Sequence, residues 1–233
     1  MRHAERKQVK NTSSAGFEVV YEDNHLILVI KPFNIPTQSD KSGDPDLLTM
    51  VKKRLKEKYS KPGEVFLGMV HRLDRPVGGL CLFAKTSKAA SRLSEQLRER
   101  KIRKEYVAVV IGTPREKRGS LTHYLAKDRE KNRVSAYKNP KPDAKKAELE
   151  YEVTKSQGGL CQLLVKPRTG RSHQIRAQLA AIGHPIVGDL KYGAKEPTQG
   201  KNILLYATRL EFIHPVTKEE MEFEIEPPKG WGA

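Results

Sequence analysis

The stretch AELEYEV, residues 147–153, alternates apolar and acidic side chains without a break. Successive side chains of a β-strand point to opposite faces, so this alternation predicts a strand with one buried and one solvated face. Residues 161–165 and 221–225 follow the same period of two. Because antiparallel sheets commonly keep one face in water, the three stretches together indicate a largely antiparallel sheet.

The rest of the chain supplies helices and further short strands. Apolar blocks predict strands over residues 17–21, 26–30, 80–84 and 106–111. Helices are predicted over residues 47–59, after a capping Thr86, and over about 172–182, where Gly183 and Pro185 end the last one. Their buried stripes are expected to comprise Leu48, Val51 and Leu55; Ala90, Leu93 and Leu97; and Ile175, Leu179 and Ile182. We therefore predict one α+β domain over residues 17–230, with a mixed, mostly antiparallel sheet and flanking helices, preceded by a flexible basic tail, residues 1–16.

The charge balance points to a polyanionic partner. Lysine and arginine number 44 against 28 acidic residues, a formal net charge of +16, and nucleic acid is the commonest partner of so basic a chain. Basic stretches at residues 115–118, 127–133 and 141–146 are expected to form exposed loops. No apolar run is long enough for a membrane span and no secretory signal is visible. Cys81 and Cys161 lie in apolar blocks and are predicted to be buried thiols, which suits a reduced cytoplasm.

One short segment carries the sharpest chemical signal: HRLDRP, His71 to Pro76, followed by Val77 and two glycines. If the segment is extended, Arg72 and Asp74 point to the same side. Neighbouring arginines favour an ionised carboxylate, which can serve as a nucleophile or a base. The alternative is an ordinary structural pair of arginine and aspartate beside a turn.

Two more segments combine basic and aromatic or hydrogen-bonding side chains. GRSHQIR, residues 170–176, opens the last predicted helix, where it can bind phosphate or set Arg176 against a buried carboxylate. A basic run over residues 98–104 leads into Tyr106, a combination suited to gripping a backbone and stacking on a base. For residues 170–176 the alternative is the solvated start of a basic helix. For the basic run it is a solvated loop, and for Tyr106 it is ordinary packing within a strand.

Taken together, these segments resemble the RluA-type family of ribosomal large subunit pseudouridine synthases. The likeness runs from about Phe17 to Pro228. It rests on HRLD at residues 71–74, KEYVA at 104–108, GRSHQIR at 170–176, and Gly188-Asp189 with Tyr192-Gly193. Each piece alone is a modest signal, whereas all four in this order are highly specific.

The resemblance implies a catalytic domain with a central RNA-binding cleft and Asp74 as the catalytic residue. It implies that Tyr106 packs on the target base and that Arg176 pairs with Asp74. Contacts to RNA are expected from His71, Arg72, Arg171 and His173. No cofactor or metal is implied, and we expect a cytoplasmic monomer that acts on ribosomal or transfer RNA, without a membrane or an obligatory protein partner.

The chain departs from the family pattern in two turns. Val77-Gly78-Gly79 replaces the usual T-S-G after the aspartate, and Asn34 stands where a glycine usually follows the pair Lys31-Pro32. Asparagine tolerates the left-handed region, so this second turn is expected to persist. The RNA-binding domain that many relatives carry in front is not expected, because about 16 residues precede the first strand.

Two other functions remain open on the residues alone. A non-catalytic RNA-binding or ribosome-associated protein would share the charge and the strands, but would have no use for Asp74, Tyr106 and Arg176. A nucleoside-cleaving hydrolase would need a second, water-activating carboxylate, for which the sequence offers no candidate.

Overall fold

The computed structural model describes residues 16–231, so the predicted tail over residues 1–16 lies almost wholly outside the described part. The chain forms two compact units. Unit 1 runs up to Arg103 and also includes Arg209–Ile225, while unit 2 comprises Lys104–Thr208 and the segment from Glu226. No change of composition marks the boundary at Arg103.

Within residues 16–231, the two units comprise eleven strands and three α-helices. The strands are β1 (Glu18–Glu22), β2 (Leu26–Lys31), β3 (Gly68–Met69), β4 (Gly78–Ala84), β5 (Arg103–Ile111), β6 (Arg118–Asp128), β7 (Arg133–Tyr137), β8 (Lys145–Gln157), β9 (Leu160–Pro167), β10 (Leu205–Ile213) and β11 (Glu220–Glu224). The helices are α1 (Leu47–Lys58), α2 (Ser87–Arg98) and α3 (Gln174–Ala181), with a short 3-10 helix over Leu190–Tyr192. The α+β class predicted from the sequence is confirmed.

Unit 1 is built on a sheet that is covered on both faces. Strands β1, β2 and β4 are adjacent, and β2 pairs with β4 antiparallel. Strand β3 pairs with β4, and strand β11 pairs with β10. Helix α1 packs with Ile27, Val29 and Phe83 on one face. The buried residues of α2 pack with Leu28 and Leu82 on the other. Coverage of both faces explains why β2 and β4 read as unbroken apolar runs instead of alternating.

Unit 2 contains the alternating strands. Its order is β10, β5, β9, β8, β6 and β7, and β10 contributes only its first four residues here. One face of β8 buries Ala147, Leu149 and Tyr151, and helix α3 packs on the end of this face through Ala177. Gly119 on β6 lies under the Tyr151 ring, where a Cβ atom would come within 2.5 Å of the ring. Glutamates on the opposite face pair with exposed basic residues.

The helices are confirmed, but the buried rows of α1 and α2 differ from the prediction, and the predicted Leu97 is only partly buried. Helix α1 buries Leu47 where Leu48 was predicted, and α2 buries Ala89 where Ala90 was predicted. The buried rows follow a spacing of four, and the predicted residues flank these rows as partly buried neighbours. The predicted cap is correct, since the Thr86 hydroxyl accepts a hydrogen bond from the Ala89 amide at 3.2 Å.

Helix α3 is shorter than predicted and is buried nearly all round. His173 has a φ of 50°, in the left-handed region, so the helix starts at Gln174 and leaves Ser172 outside. Gln174, Arg176 and Gln178 are buried together with the apolar residues of the helix. The alternative of a solvated basic helix start is therefore wrong. The helix ends as predicted at Gly183, whose φ is 86°.

Other predictions concern turns, loops and thiols. Asn34 has a φ of 62°, so the turn tolerates asparagine as expected. The basic stretches are exposed, but residues at their ends belong to strands β6, β7 and β8 where loops were predicted, namely residue 118, residues 127–128, residue 133 and residues 145–146. Cys81 and Cys161 are buried free thiols, and burial raises the pKa of Cys81 to about 12. Within residues 16–231, no helix has the length and apolar character needed to cross a bilayer.

Candidate active site

In unit 1, Asp74 lies on an extended segment whose side chains alternate between the interior and solvent. His71 and Leu73 are buried, Arg72 is exposed and Asp74 is half-buried. Arg72 and Asp74 therefore point away from the core on the same side, as predicted. The segment ends in a turn in which the Val77 amide donates to the Asp74 carbonyl oxygen at 3.0 Å.

Side chains hold this segment in place after it leaves the sheet at Met69. The Thr37 hydroxyl donates to the Leu73 carbonyl oxygen at 2.8 Å, and the Leu73 amide donates back to the same hydroxyl at 3.2 Å. The Leu82 amide of β4 donates to Nε2 of His71 at 3.1 Å. His71 therefore faces the sheet, and its contact with RNA stays a prediction from the family resemblance.

Arg75 fixes the turn that follows Asp74. Its guanidinium donates to the Asn34 carbonyl oxygen at 3.1 Å and to the Ser42 hydroxyl at 3.0 Å, and it also pairs with Asp44. Hydrogen bonds from Ser42 and the charge of Arg75 lower the pKa of the Asp40 carboxyl. The segment over residues 34–44 thus neutralises Arg75, which leaves Arg72 as the exposed arginine of the motif.

Lys31 is a buried cation behind the same turn. Its side chain is fully buried, and its ammonium donates to the carbonyl oxygens of Pro32, Ile35 and Arg75 at 2.8, 2.6 and 3.1 Å. Burial lowers the pKa of Lys31 to about 8, while the charge of Asp74 opposes the shift. Below that pH, Lys31 therefore keeps a positive charge close to the Asp74 carboxylate.

In unit 2, Arg176 is held rigidly by an aspartate. Its Nε and one terminal nitrogen donate to the two carboxylate oxygens of Asp189 at 2.7 and 2.8 Å, and both side chains are almost inaccessible to solvent. The guanidinium carbon lies 5.0 Å from the centre of the Tyr192 ring. This two-pronged pair fixes the plane of the guanidinium. Pairing of Arg176 with Asp74 stays a prediction from the family resemblance.

His173 and Tyr192 form a second buried contact beside Arg176. The Val134 amide donates to the Tyr192 hydroxyl at 2.9 Å, and that hydroxyl lies 2.8 Å from Nδ1 of His173. The donor in this hydrogen bond depends on the tautomer of His173, and in either case the contact ties the imidazole to the Tyr192 hydroxyl. His173 is thus a buried residue that supports the start of α3.

Arg171 and Tyr106 occupy different surroundings. Arg171 is exposed and donates to the Lys146 carbonyl oxygen at 3.1 Å, while its amide donates to the Gln174 side chain at 3.0 Å. Tyr106 lies on β5, opposite Val165 of β9, and is 7% exposed. Of the predicted contacts to RNA, Arg72 and Arg171 are the residues that reach solvent freely.

Sequence reasoning missed three residues that shape these sites: Lys31, Thr37 and Asp189. Lys31 had a signal, since a lysine directly after the apolar run LILVI, residues 26–30, is unusual in a buried strand. Asp189 stood in a quoted family pattern without a role. Thr37 had no signal, because its partner Leu73 is distant in sequence.

Comparison with known proteins agrees with the fold and the motifs. Residues 25–181 match the family model described as RNA pseudouridylate synthase. The dual-specificity RNA pseudouridine synthase RluA of Escherichia coli K12 is 34% identical over 214 residues, covering 88% of this chain and 91% of that protein. The ribosomal large subunit pseudouridine synthase C of Buchnera aphidicola from Schizaphis graminum is 32% identical over 210 residues. The match covers 87% of this chain, which spans only 65% of that relative's length.

Solved structures show the same fold. Human RNA pseudouridylate synthase domain containing 4 superposes with a TM-score of 0.75 at 21% identity, covering 91% of this chain and 89% of that one. Human RNA pseudouridylate synthase domain containing 1 gives 0.73 at 24% identity, with coverages of 94% and 87%. By the family model and its identity to bacterial relatives over most of its length, the chain belongs to the RluA-type family of RNA pseudouridine synthases, which are isomerases.

Proposed function

We propose that this protein converts specific uridines of ribosomal or transfer RNA to pseudouridine, with Asp74 as the catalytic residue. The observation that carries the proposal is the placement of Asp74. It is half-buried at the end of an extended segment, on the same side as the exposed Arg72. Thr37, Lys31 and Arg75 fix the backbone around it. A segment held in place by side chains from elsewhere in the sequence gives Asp74 the fixed position that a catalytic group requires.

The reaction is an isomerisation that needs no redox partner. The bond between C1′ of the ribose and N1 of uracil breaks, the base turns, and a new bond forms between C1′ and C5. The hydrogen leaves C5 and N1 regains one, so atoms and electrons balance. Asp74 acts on the nucleoside as a nucleophile or as a base, roles that an ionised carboxylate can fill.

The remaining residues are assigned supporting roles. The target nucleotide must leave the RNA stack before Asp74 can reach it, and we assign Arg72 to holding the flipped nucleotide or filling the gap. Tyr106 packs on the uracil ring, and Arg176, oriented by Asp189, keeps the role that the family resemblance implies for it, that of the partner of Asp74. Arg171 contacts the RNA backbone. His71 and His173 act as positioning residues, since both are buried and bonded within their own units.

The proposal extends to a cytoplasmic monomer without an obligatory protein partner. Two buried reduced thiols suit a reducing compartment. The buried rows of α1 and α2 each pack within unit 1, so these helices offer no apolar face to a second copy. Light scattering of the purified chain at several concentrations measures its oligomeric state directly. The mass of a dimer would contradict the proposed monomer.

The test maps pseudouridine in total RNA from cells that lack the protein, complemented with wild type or with Asp74→Asn. One or a few sites should disappear on deletion and return with wild type only. Purified Asp74→Asn should fold and bind RNA like wild type, with turnover below detection. Asp143→Asn is the matched control, because Asp143 is exposed with a φ of 62° that asparagine also tolerates.

Each outcome separates the possible functions. Appreciable turnover by Asp74→Asn would refute the assignment of the catalytic residue. Release of free uracil would favour a hydrolase. Binding of RNA without modification of any candidate transcript by the purified wild type would favour the non-catalytic alternative.

A further inference from the structure

A lysine on β5 of unit 2 is half-buried and lacks an anionic partner within the structure. Lys104 is two residues before Tyr106, so the two side chains leave the strand on the same face, about 7 Å apart along the chain. Burial lowers the pKa of Lys104. Among residues 16–231, the Lys104 ammonium meets no carboxylate within 4.0 Å and no hydrogen-bond acceptor.

Two other lysines show what a satisfied ammonium looks like in this chain. Lys31 is buried and donates to three carbonyl oxygens. Lys166 of β9 pairs with Glu105 at 2.9 Å, and because Val165 is opposite Tyr106, Lys166 lies on the other face of the sheet. Lys104 has neither arrangement. A partly desolvated charge without a partner costs free energy, so its retention calls for a ligand that arrives in the working state.

The neighbouring backbone leaves room for such a ligand. The Lys104 nitrogen lies 3.6 Å from the position that a Cβ atom would take on Gly170, and apart from Gly170 and its two chain neighbours no other described residue has an atom within 4 Å of that position. The ammonium also keeps contact with solvent, since it is not among the fully buried unpaired atoms. Helix α3 begins four residues after Gly170, and no side chain caps its N-terminus. The ammonium and the uncapped helix N-terminus favour an anion, and the open space at Gly170 leaves room for one.

We propose that Lys104 and the open space at Gly170 bind one phosphodiester group of the RNA strand, next to the nucleotide that packs on Tyr106. The proposal rests on the proposed function, because the anion is taken to be part of the RNA substrate. Lys104 thereby fixes the register of the strand relative to Tyr106 and contributes to binding, not to the bond-breaking step.

The first test measures binding of a short fluorescein-labelled oligouridylate to the full chain by anisotropy over a range of KCl concentrations. Lys104→Met should weaken binding about tenfold and lower the slope of log affinity against log salt by about 0.7. Lys104→Arg should retain the slope. Gly170→Val, which fills the space while keeping the charge, should weaken binding as well. Lys166→Met, the matched control, should stay close to wild type because Glu105 already neutralises that lysine.

A thermal measurement separates this role from a structural one. Removing an unpaired, partly desolvated charge should raise the Tm of the free Lys104→Met protein by about 1–3 °C. A lysine needed for the fold would lower it. A lower Tm for Lys104→Met, or equal affinity and salt slope for the Lys104→Met and Lys166→Met proteins, would overturn the proposed site.

A second test locates the phosphate on a transcript that carries the mapped uridine. Ethylation of a single phosphate removes its charge, and one ethylated position beside the target should be depleted from RNA bound by wild type. Lys104→Met should lose that depletion and keep the others, with a raised KM and a kcat within about threefold of wild type. An unchanged pattern contradicts the site while Asp74 chemistry stands. If wild type modifies no RNA, the proposed function fails and the oligouridylate measurements still decide the anion site.

Discussion

At the scale of single residues, side chains distant in sequence determine how the catalytic segment is held. The alternation of Arg72 and Asp74 could be predicted, because spacing by two in an extended segment needs only local geometry. The hydrogen bonds from Thr37 and Lys31 could not be predicted, since their acceptors lie roughly forty residues away in sequence. No local pattern indicates that these segments come together. The role of Asp189 was not predicted either, because its pairing with Arg176, 13 residues away, follows no local spacing.

The buried pair of Arg176 and Asp189 gives a prediction at this scale. Asp189→Asn removes two short charge-assisted hydrogen bonds from the guanidinium, which should lower the free energy of unfolding by about 2–3 kcal/mol. Urea unfolding at neutral pH measures the change. Glu150→Gln is the control, because its pair with Arg168 is exposed and is worth at most about 1 kcal/mol. If Asp189→Asn loses no more stability than the control, the pair is not the anchor of Arg176.

At the scale of elements, strands with clean alternation were predictable and strands rich in charge were not. The strands β8 and β9 appear where their period of two predicts them. The ends of β6 and β7 were taken for loops because they carry clustered lysines and arginines, which a hairpin can expose as readily as a loop can. The start of α3 was misplaced because a left-handed residue, His173, interrupts a sequence that reads as helical.

Glu22 joins three elements and makes their association sensitive to acid. Its carboxylate, at the end of β1, accepts hydrogen bonds from Lys58, Tyr59 and Lys85 at 2.7, 2.7 and 2.9 Å. Burial alone would raise the pKa of Glu22, but the three hydrogen bonds outweigh it and lower the pKa to about 2 from 4.5. A lowered carboxyl pKa stabilises the fold above the unfolded value and loses that effect as the pH falls towards the folded one.

Stability should therefore fall between about pH 4.5 and 2 by an amount that Glu22→Gln abolishes. After allowance for solvent screening we expect a contribution of about 1–2 kcal/mol. Urea unfolding at a series of acid pH values, with the exposed Glu64→Gln as control, measures it. Equal acid sensitivity in the Glu22→Gln and wild-type proteins would show that the three elements do not depend on this carboxylate.

At the scale of the whole molecule, the surplus of positive charge is uneven. Residues 115–146 contain 11 basic and 4 acidic residues, so this segment supplies +7 of the net +16. Its lysines at positions 127, 131, 138 and 141 are exposed. Such a concentration of charge is typical of a surface that follows a nucleic-acid backbone.

Replacing these four lysines with glutamine should weaken RNA binding and reduce its salt slope by about 2–3. The matched control replaces Lys53, Lys56, Lys61 and Lys88, which are exposed on unit 1 and remove the same charge. Binding isotherms at several salt concentrations compare the two. An equal loss of RNA affinity in both fourfold variants would mean that only the net charge of the protein matters. Residues 115–146 would then not be the path of the RNA.

The interrupted course of unit 1 has a consequence for how the protein is made. Leu210, Phe212 and Phe223 belong to the same core cluster as Leu28 and Leu82, yet more than a hundred residues of unit 2 are synthesised between them. A nascent chain that has reached residue 200 therefore carries an unfinished apolar surface at its beginning, while nearly all of unit 2 is already present. Of the two units, unit 1 is begun earlier and completes its core later, so part of its apolar surface stays uncovered while unit 2 is synthesised.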